Sequence, residues 1–428
     1  MPAAATAADF AAFIAASPSA YHAVAEVACR LTQAGFTEQR EVDAWDGAEG
    51  GHYIIRDGAI IAYRLPARLT DSTALRIVGA HTDSPGFKLK PQPEHRSVGF
   101  AQAGMEVYGG PLLNSWLDRE FGLAGRIVTA SGEIHLGKTG PWLRIPQLAV
   151  HLDRGVNERL QLDQQRHLMP VYALDGTDAA SRGILALVAD AMGVNPADIV
   201  GHDLFAYLTQ PPERIGADGS LLAAGRLDNL SSVYAGLCAI AVASPVADVQ
   251  LLVCNDHEEV GSATRSGAAG PFLEQVLGRI AHGFNMNYDD TQRMFARSWV
   301  VSADAGHSVH PNYPELHDPD ARPVLGGGPL LKVNAKQRYT TEASGEALWL
   351  RACKAAGVPT QVFVSNNSVA CGTTIGPLTA TRLGINTVDV GIPLLSMHSA
   401  RELCHVDDVP YLAAALQAFY QGHSAEGR

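Results

Sequence analysis

Residues 249–264 read VQLLVCNDHEEVGSAT. The first six are too few for a helix, and an apolar run of this length suits a strand buried on both faces of a sheet. The run stops at four ionisable groups, Asp256, His257, Glu258 and Glu259. The same grammar recurs along the chain. LRIVGA (75–80) stops at His81, Thr82 and Asp83, WVVSA (299–303) stops at Asp304, and INTVDVG (385–391) runs on towards His398. HYIIRDGAIIAYRL (52–65) reads as a hairpin turning at Asp57 and Gly58, and TQVFVS (360–365) as a further strand. Helical spacing appears at Phe10, Phe13 and Ile14, at Val24, Val27 and Leu31, and over 230–243, 342–356 and 409–420. Strands alternating with helices place the chain in the α/β class, a sheet with helices on both faces.

Between about 93 and 225 the texture changes to short alternating segments such as MEVYGG, GRIVTASGEIHLG and WLRIPQLAVHL, separated by Gly and Pro turns. The expected organisation is a first catalytic part over 1–92, an inserted β-rich domain over 93–225, and a second catalytic part over 226–428. A length of 428 residues suits two or three domains.

With 46% apolar residues the chain can build a core, and 42 Gly and 24 Pro without a period exclude a collagen-like fibre. A formal charge of −12 argues against a grip on nucleic acid or on an anionic membrane surface. At face value it also argues against acidic small substrates. Cys29, Cys238, Cys254, Cys353, Cys371 and Cys404 form no C-x-x-C pair and read as reduced thiols of a cytoplasmic protein. The first 17 residues have no basic segment and contain Asp9, unlike a signal peptide, and no run reaches the roughly 20 apolar residues of a membrane span.

In an open α/β sheet, ligands bind beyond the carboxyl ends of the strands, so the polar residues at those ends are the candidates. An H-x-D at a strand end can set an imidazole on a metal while the carboxylate holds its other ring nitrogen, which fits His81 and Asp83. Asp228, in GRLDNLSSVYAGL (225–237), precedes a helix, where an aspartate is ordinarily a cap. Paired glutamates are ordinarily solvated charge. At a strand exit, however, one can bind metal while its neighbour takes a proton from the attacking water. His310 and His405 have ordinary structural readings. Together, His81, Asp228, Glu258 and Glu259, Asp304 and His398 make a nitrogen and oxygen donor set suited to a pair of divalent ions, Zn²⁺, Mn²⁺ or Co²⁺. Such a pair makes a pocket locally positive, which removes the charge argument against acidic substrates.

GAHTDSPGFKLKP (79–91), MEVYGG (105–110), IPQLAVHL (145–152), GRLDN (225–229), DHEEVGS (256–262), SADAGHSVHPNY (302–313), KVNAKQRY (332–339), CGTTIGP (371–377) and MHSARE (397–402) occur in that order. Together they resemble the M18 metallo-aminopeptidases of the aspartyl aminopeptidase type, from SPSAYHAV (17–24) to the last helix. The resemblance implies a zinc-exopeptidase-like catalytic domain carrying an inserted β-rich dimerisation domain, assembled as a twelve-subunit particle. It implies two metal ions, one on His81 and Asp304, one on Glu259 and His398, bridged by Asp228. Glu258 would be the general base and Asp83 the carboxylate orienting His81. His307, Lys332 and Tyr339 would meet the substrate, joined by His151 from a neighbouring subunit. The substrates implied are peptides with an N-terminal Asp or Glu. Lys332 would supply the cation that reads the acidic side chain; without the resemblance it reads as a solvated lysine ahead of Lys336 and Arg338. One departure concerns residues 365–370, SNNSVA, where similar proteins carry an Arg and an Asp. A metal-dependent carboxypeptidase or N-acyl amino acid amidohydrolase would need a cation for the substrate α-carboxylate, which the sequence does not assign. An inert assembly protein would not need a base beside its metal ligands.

Overall fold

The computed structural model describes residues 5–45, 47–243 and 247–422. Its centre is a nine-stranded sheet. Four parallel strands form the middle, in the order Val249–Asn255, Leu75–His81, Trp299–Ala303 and Asn386–Gly391. All seven residues of Leu75–His81 and of Val249–Asn255 are buried, Arg76 and Gln250 among them, as befits mainly apolar strands covered on both faces. The register pairs Asn255 with His81 and Ala303 with Val390. Their carboxyl ends therefore finish level, and the polar residues that follow emerge together.

The hairpin forms as expected, Gly50–Arg56 against Ala59–Leu65, and Ala59–Leu65 runs antiparallel to Val249–Asn255. On the other side Leu330–Val333 lies antiparallel to Asn386–Gly391 and parallel to Gln361–Val364. Helices cover both faces. Ala7–Ala16, Ala20–Gln33, Leu227–Val242, Ala343–Ala356 and Asp408–Tyr420 pack one core with the sheet, around Phe10, Tyr234, Trp349 and Phe419. Phe272–Gly283 and Tyr288–Arg297 close the other, around Phe272, Leu277 and Met294.

A second sheet of seven strands spans Gly86 to Leu208, with its own core around Phe87, Trp116, Phe121 and Leu204. It is predominantly β but carries two helices, Asp178–Arg182 and Ile184–Ala191. Its first strand, Gly86–Ser97, pairs with Phe100–Tyr108 from Gly86 onwards, so the expected junction at 92/93 falls inside a strand. At the far end Leu221–Ala224, before the expected junction at 225/226, pairs with Glu402–His405 in a separate small sheet. No helix among the described residues is long and apolar enough to cross a membrane.

Candidate metal centre

His81 ends the central strand, and its imidazole is held from both sides. Nδ1 lies 3.1 Å from the Asp83 carbonyl oxygen and 3.3 Å from Asp83 Oδ1. Nε2 lies 3.4 Å from Asp228 Oδ1 and 3.6 Å from Asp304 Oδ1. His398, delivered by the loop after Asn386–Gly391, repeats the arrangement. Its Nδ1 is 3.0 Å from the Gly110 carbonyl oxygen, and its Nε2 is 3.3 Å from Asp228 Oδ2 and 3.5 Å from Glu259 Oε2. Each Asp228 oxygen thus faces a different imidazole. The ordinary capping role of Asp228 is not realised: no side-chain cap opens its helix, and regular helical backbone begins only after Asn229.

Asp83 does more than hold His81. Its Oδ1 accepts the Glu258 backbone N–H and its Oδ2 the Glu259 backbone N–H, each at 3.1 Å, and the Tyr108 hydroxyl donates to Oδ2 at 2.9 Å. One carboxylate therefore fixes both the first imidazole and the turn that presents the paired glutamates. Gly109 sits at φ +67°, and a Cβ there would stand 3.0 Å from Glu259 Cβ, so glycine is needed for the second sheet to come this close. Glu402, 2% exposed, accepts the Asp228 N–H at 3.1 Å and the His398 N–H at 2.8 Å. Tyr108, Gly110 and Glu402 had no role from sequence; all three act through main-chain groups or through Asp83.

Donor atoms of His81, Asp228 and Asp304, and of Asp228, Glu259 and His398, form two compact sets that share Asp228, and His81, Glu258 and Glu259 form a third. Burial and the Asp304, Asp228 and Asp83 charges push the Glu258 carboxyl up to about 7, against the pull of His81. Burial and the Asp228 charge raise Glu259 well above the ordinary carboxylate range. The His81 imidazole is raised far above normal by Asp228, Asp304 and Asp83 despite its burial. Too much negative charge is therefore gathered for the protons at hand. Asp228 Oδ1 and Glu259 Oε1 are also buried without a hydrogen-bond donor. Ligands about 2.0–2.1 Å from a tetrahedral ion stand roughly 3.3 Å apart, the spacing of these donors, so the residues fit divalent metal.

Beside the cluster, Lys332 is 1% exposed, not solvated, and its Nζ donates to the Ala305 carbonyl at 2.7 Å. The ammonium lies 5.3 Å from the Tyr339 ring centroid; the Phe363 ring stands 6.1 Å from Tyr339 and 5.9 Å from His307. His151 is exposed, on the irregular stretch between Leu143–Arg144 and Val171–Leu174, and has no hydrogen bond or ion pair to the cluster among the described residues. His310 and His405 serve local turns, accepting the N–H groups of Asn312 and Asp407. In the divergent segment, Asn366 donates to the Glu315 and His317 carbonyls, tying it to the loop after the Asp304 strand.

Residues 13–420 match the family described as Aminopeptidase I zinc metalloprotease (M18). The chain belongs to the M18 family. This M18 protein is 50% identical over 420 residues to a probable M18 family aminopeptidase 2 of Streptomyces avermitilis, covering 97% of each chain. It superposes on an M18-family aminopeptidase from Thermotoga maritima with TM-score 0.86 and 25% identity, over 97% of this chain and 95% of that one. A structure described as the mApe1 dodecamer of S. cerevisiae gives TM-score 0.85 and 27% identity, over 98% and 97%. The M18 chain is accordingly a metallo-aminopeptidase of the α/β class expected from its strand exits. That assignment sets aside the carboxypeptidase, amidohydrolase and inert-assembly readings.

Proposed function

We propose that this M18 enzyme is a dinuclear aminopeptidase that removes N-terminal Asp and Glu from peptides. The observation that carries the dinuclear reading is the division of Asp228 between the two imidazoles, at 3.4 and 3.3 Å. In this reading His81 and Asp304 would hold one ion and Glu259 and His398 the other, with Asp228 shared between the two sets. When bound, the two ions, Zn²⁺ first with Mn²⁺ or Co²⁺ as substitutes, supply Lewis acidity to the scissile carbonyl and the attacking water.

The side chains do the rest. Glu258 takes the proton of the attacking water and returns it to the departing amine, a role suited to a carboxyl whose affinity for protons is raised. Asp83 keeps the His81 ring turned with Nε2 inward and holds the Glu258 backbone. Lys332 meets the acidic side chain of the first residue, while His307 and Tyr339 shape the pocket. His151 enters the site of a neighbouring subunit in a homo-oligomer of up to twelve chains; its exposure on a long irregular stretch supports a role outside its own chain. In this reading the inserted dimerisation domain, expected over 93–225, is built around the second sheet, with the catalytic domain on either side. Six free cysteines support residence in the reducing cytoplasm.

The test is a panel of aminoacyl-anilides on chelated enzyme reloaded with each metal. Activity is expected to return at two equivalents per chain and to favour Asp and Glu over Ala and Leu by more than tenfold. Full activity at one equivalent removes the dinuclear reading, and a preference for Leu removes the acidic one.

Glu402 gives a separate expectation. Glu402→Gln offers one acceptor where two N–H groups need one each, so one of Asp228 and His398 loses its tether. Metal retention is expected to weaken about 10- to 100-fold, the usual effect of disturbing groups that orient ligands. Competition with a chromogenic chelator measures it, and unchanged retention shows that Glu402 does not position the ligands.

A further inference from the structure

The two imidazoles of the metal centre are mounted differently. His81 ends a central strand, is 1% exposed, and is fixed by Asp83 two residues further on. His398 lies on a loop between Pro393–Leu394 and Glu402–His405, with its side chain 31% exposed. Ser396 and His398 both take left-handed backbone, at φ +57° and +66°. Residues other than glycine adopt that conformation at a cost, and keep it where their surroundings enforce it.

Much of that enforcement comes from the second sheet. The stretch 110–115, which follows its Phe100–Tyr108 strand, meets the loop at three points. The Gly110 carbonyl oxygen lies 3.0 Å from His398 Nδ1, the Leu112 N–H donates to the His398 carbonyl at 2.9 Å, and Ser115 Oγ accepts the Ala400 N–H at 2.8 Å. The same Ser115 hydroxyl donates to the Leu112 carbonyl at 2.6 Å. One oxygen therefore ties the stretch to itself and to the loop. Its support is firm: Trp116, the next residue, stands edge-on to Phe87 and to Phe121, with ring centroids 5.2 and 5.6 Å apart. Ala400, 4% exposed, is packed into that same core although it belongs to the catalytic chain segment. A group that orients a ligand must itself be held by packing, and Ser115 meets that condition.

We propose that Ser115 is a positioning residue for one half of the metal centre: it sets the His398 loop, and through it the metal affinity of Glu259 and His398, while His81 and Asp304 are independent of it. The second sheet is then part of the ligand scaffold. The inference rests on the dinuclear reading, and different measurements test the two.

The experiment is titration of the Zn²⁺-loaded enzyme with a chromogenic chelator, for the parent, Ser115→Ala, Ser115→Thr, His398→Ala and the double variant Ser115→Ala with His398→Ala. Ser115→Ala is expected to release one ion about 10- to 100-fold more readily than the parent does, and to keep the other within about threefold. Ser115→Thr keeps the hydroxyl and is expected to retain both ions within about threefold of the parent. With His398 already replaced, Ser115→Ala is expected to change retention of the remaining ion by less than about threefold, because its effect passes through the residue that is gone. Equal weakening of both ions, unchanged retention, a Ser115→Thr variant no better than Ser115→Ala, or a full loss in the His398→Ala background overturns the proposal. A parent that binds a single ion removes the dinuclear reading instead, and Ser115 is then judged by whether its effect on that ion vanishes without His398.

Discussion

Glu258→Gln is expected to lower kcat by about 10³-fold, roughly 4 kcal/mol of barrier, the middle of the range for removing a general base. Glutamine keeps the size and polarity of the side chain but cannot take a proton. Nothing else in the centre should move. The Glu258 backbone N–H is held by Asp83 whatever side chain residue 258 carries, and the donors of His81, Asp228, Glu259, Asp304 and His398 remain. Metal content by atomic emission and thermal stability should therefore stay near those of the parent enzyme. The loss should be the same for acidic and neutral anilides, because the proton transfer does not depend on the side chain being read. If more than a tenth of the activity survives with metal content intact, the base is a different group.

The strand exits were legible because a parallel strand covered on both faces must be a short apolar run, and its end marks where polar chain begins. Asp256 to Glu259, Asp304 and His81 stand at such ends. The second layer of the centre was not legible. Tyr108 reaches Asp83 from 25 residues away, and Glu402 reaches Asp228 across 174, so no local spacing announces either contact. Leu330–Val333 was hidden for a different reason: four residues with a lysine among them do not read as an interior strand. By contrast Phe272, Val276, Leu277 and Ile280 stand at helical spacing, so the Phe272–Gly283 helix is legible although absent from the expected element order. Residues 92 and 93 lie within Gly86–Ser97, a strand that begins apolar and ends polar, and only its pairing with Phe100–Tyr108 shows that both halves belong to one strand.

Lys332→Met is expected to separate acidic from neutral substrates. Lys332 is almost fully buried, its Nζ donates one hydrogen bond to Ala305, and it has no carboxylate partner among the described residues. An ammonium carries three donors, so two remain for a ligand. A buried cation left in this state favours an anion that completes it, and the aromatic ring of Tyr339 beside it excludes water that would screen the pair. Methionine keeps the stem and the volume and removes only the charge. Deleting one partner of a buried, hydrogen-bonded charge pair costs about 2–5 kcal/mol, so kcat/KM for Asp- and Glu-anilides should fall by roughly 30- to 5,000-fold. Ala- and Leu-anilides should change by less than about threefold, since they place no charge on residue 332. Thermal stability should hold or rise, because a buried unpaired charge gives way to an apolar group. An equal loss for acidic and neutral substrates, in a variant that melts no earlier than the parent, would remove Lys332 from substrate reading and leave it a strut between Leu330–Val333 and the Ala305 backbone.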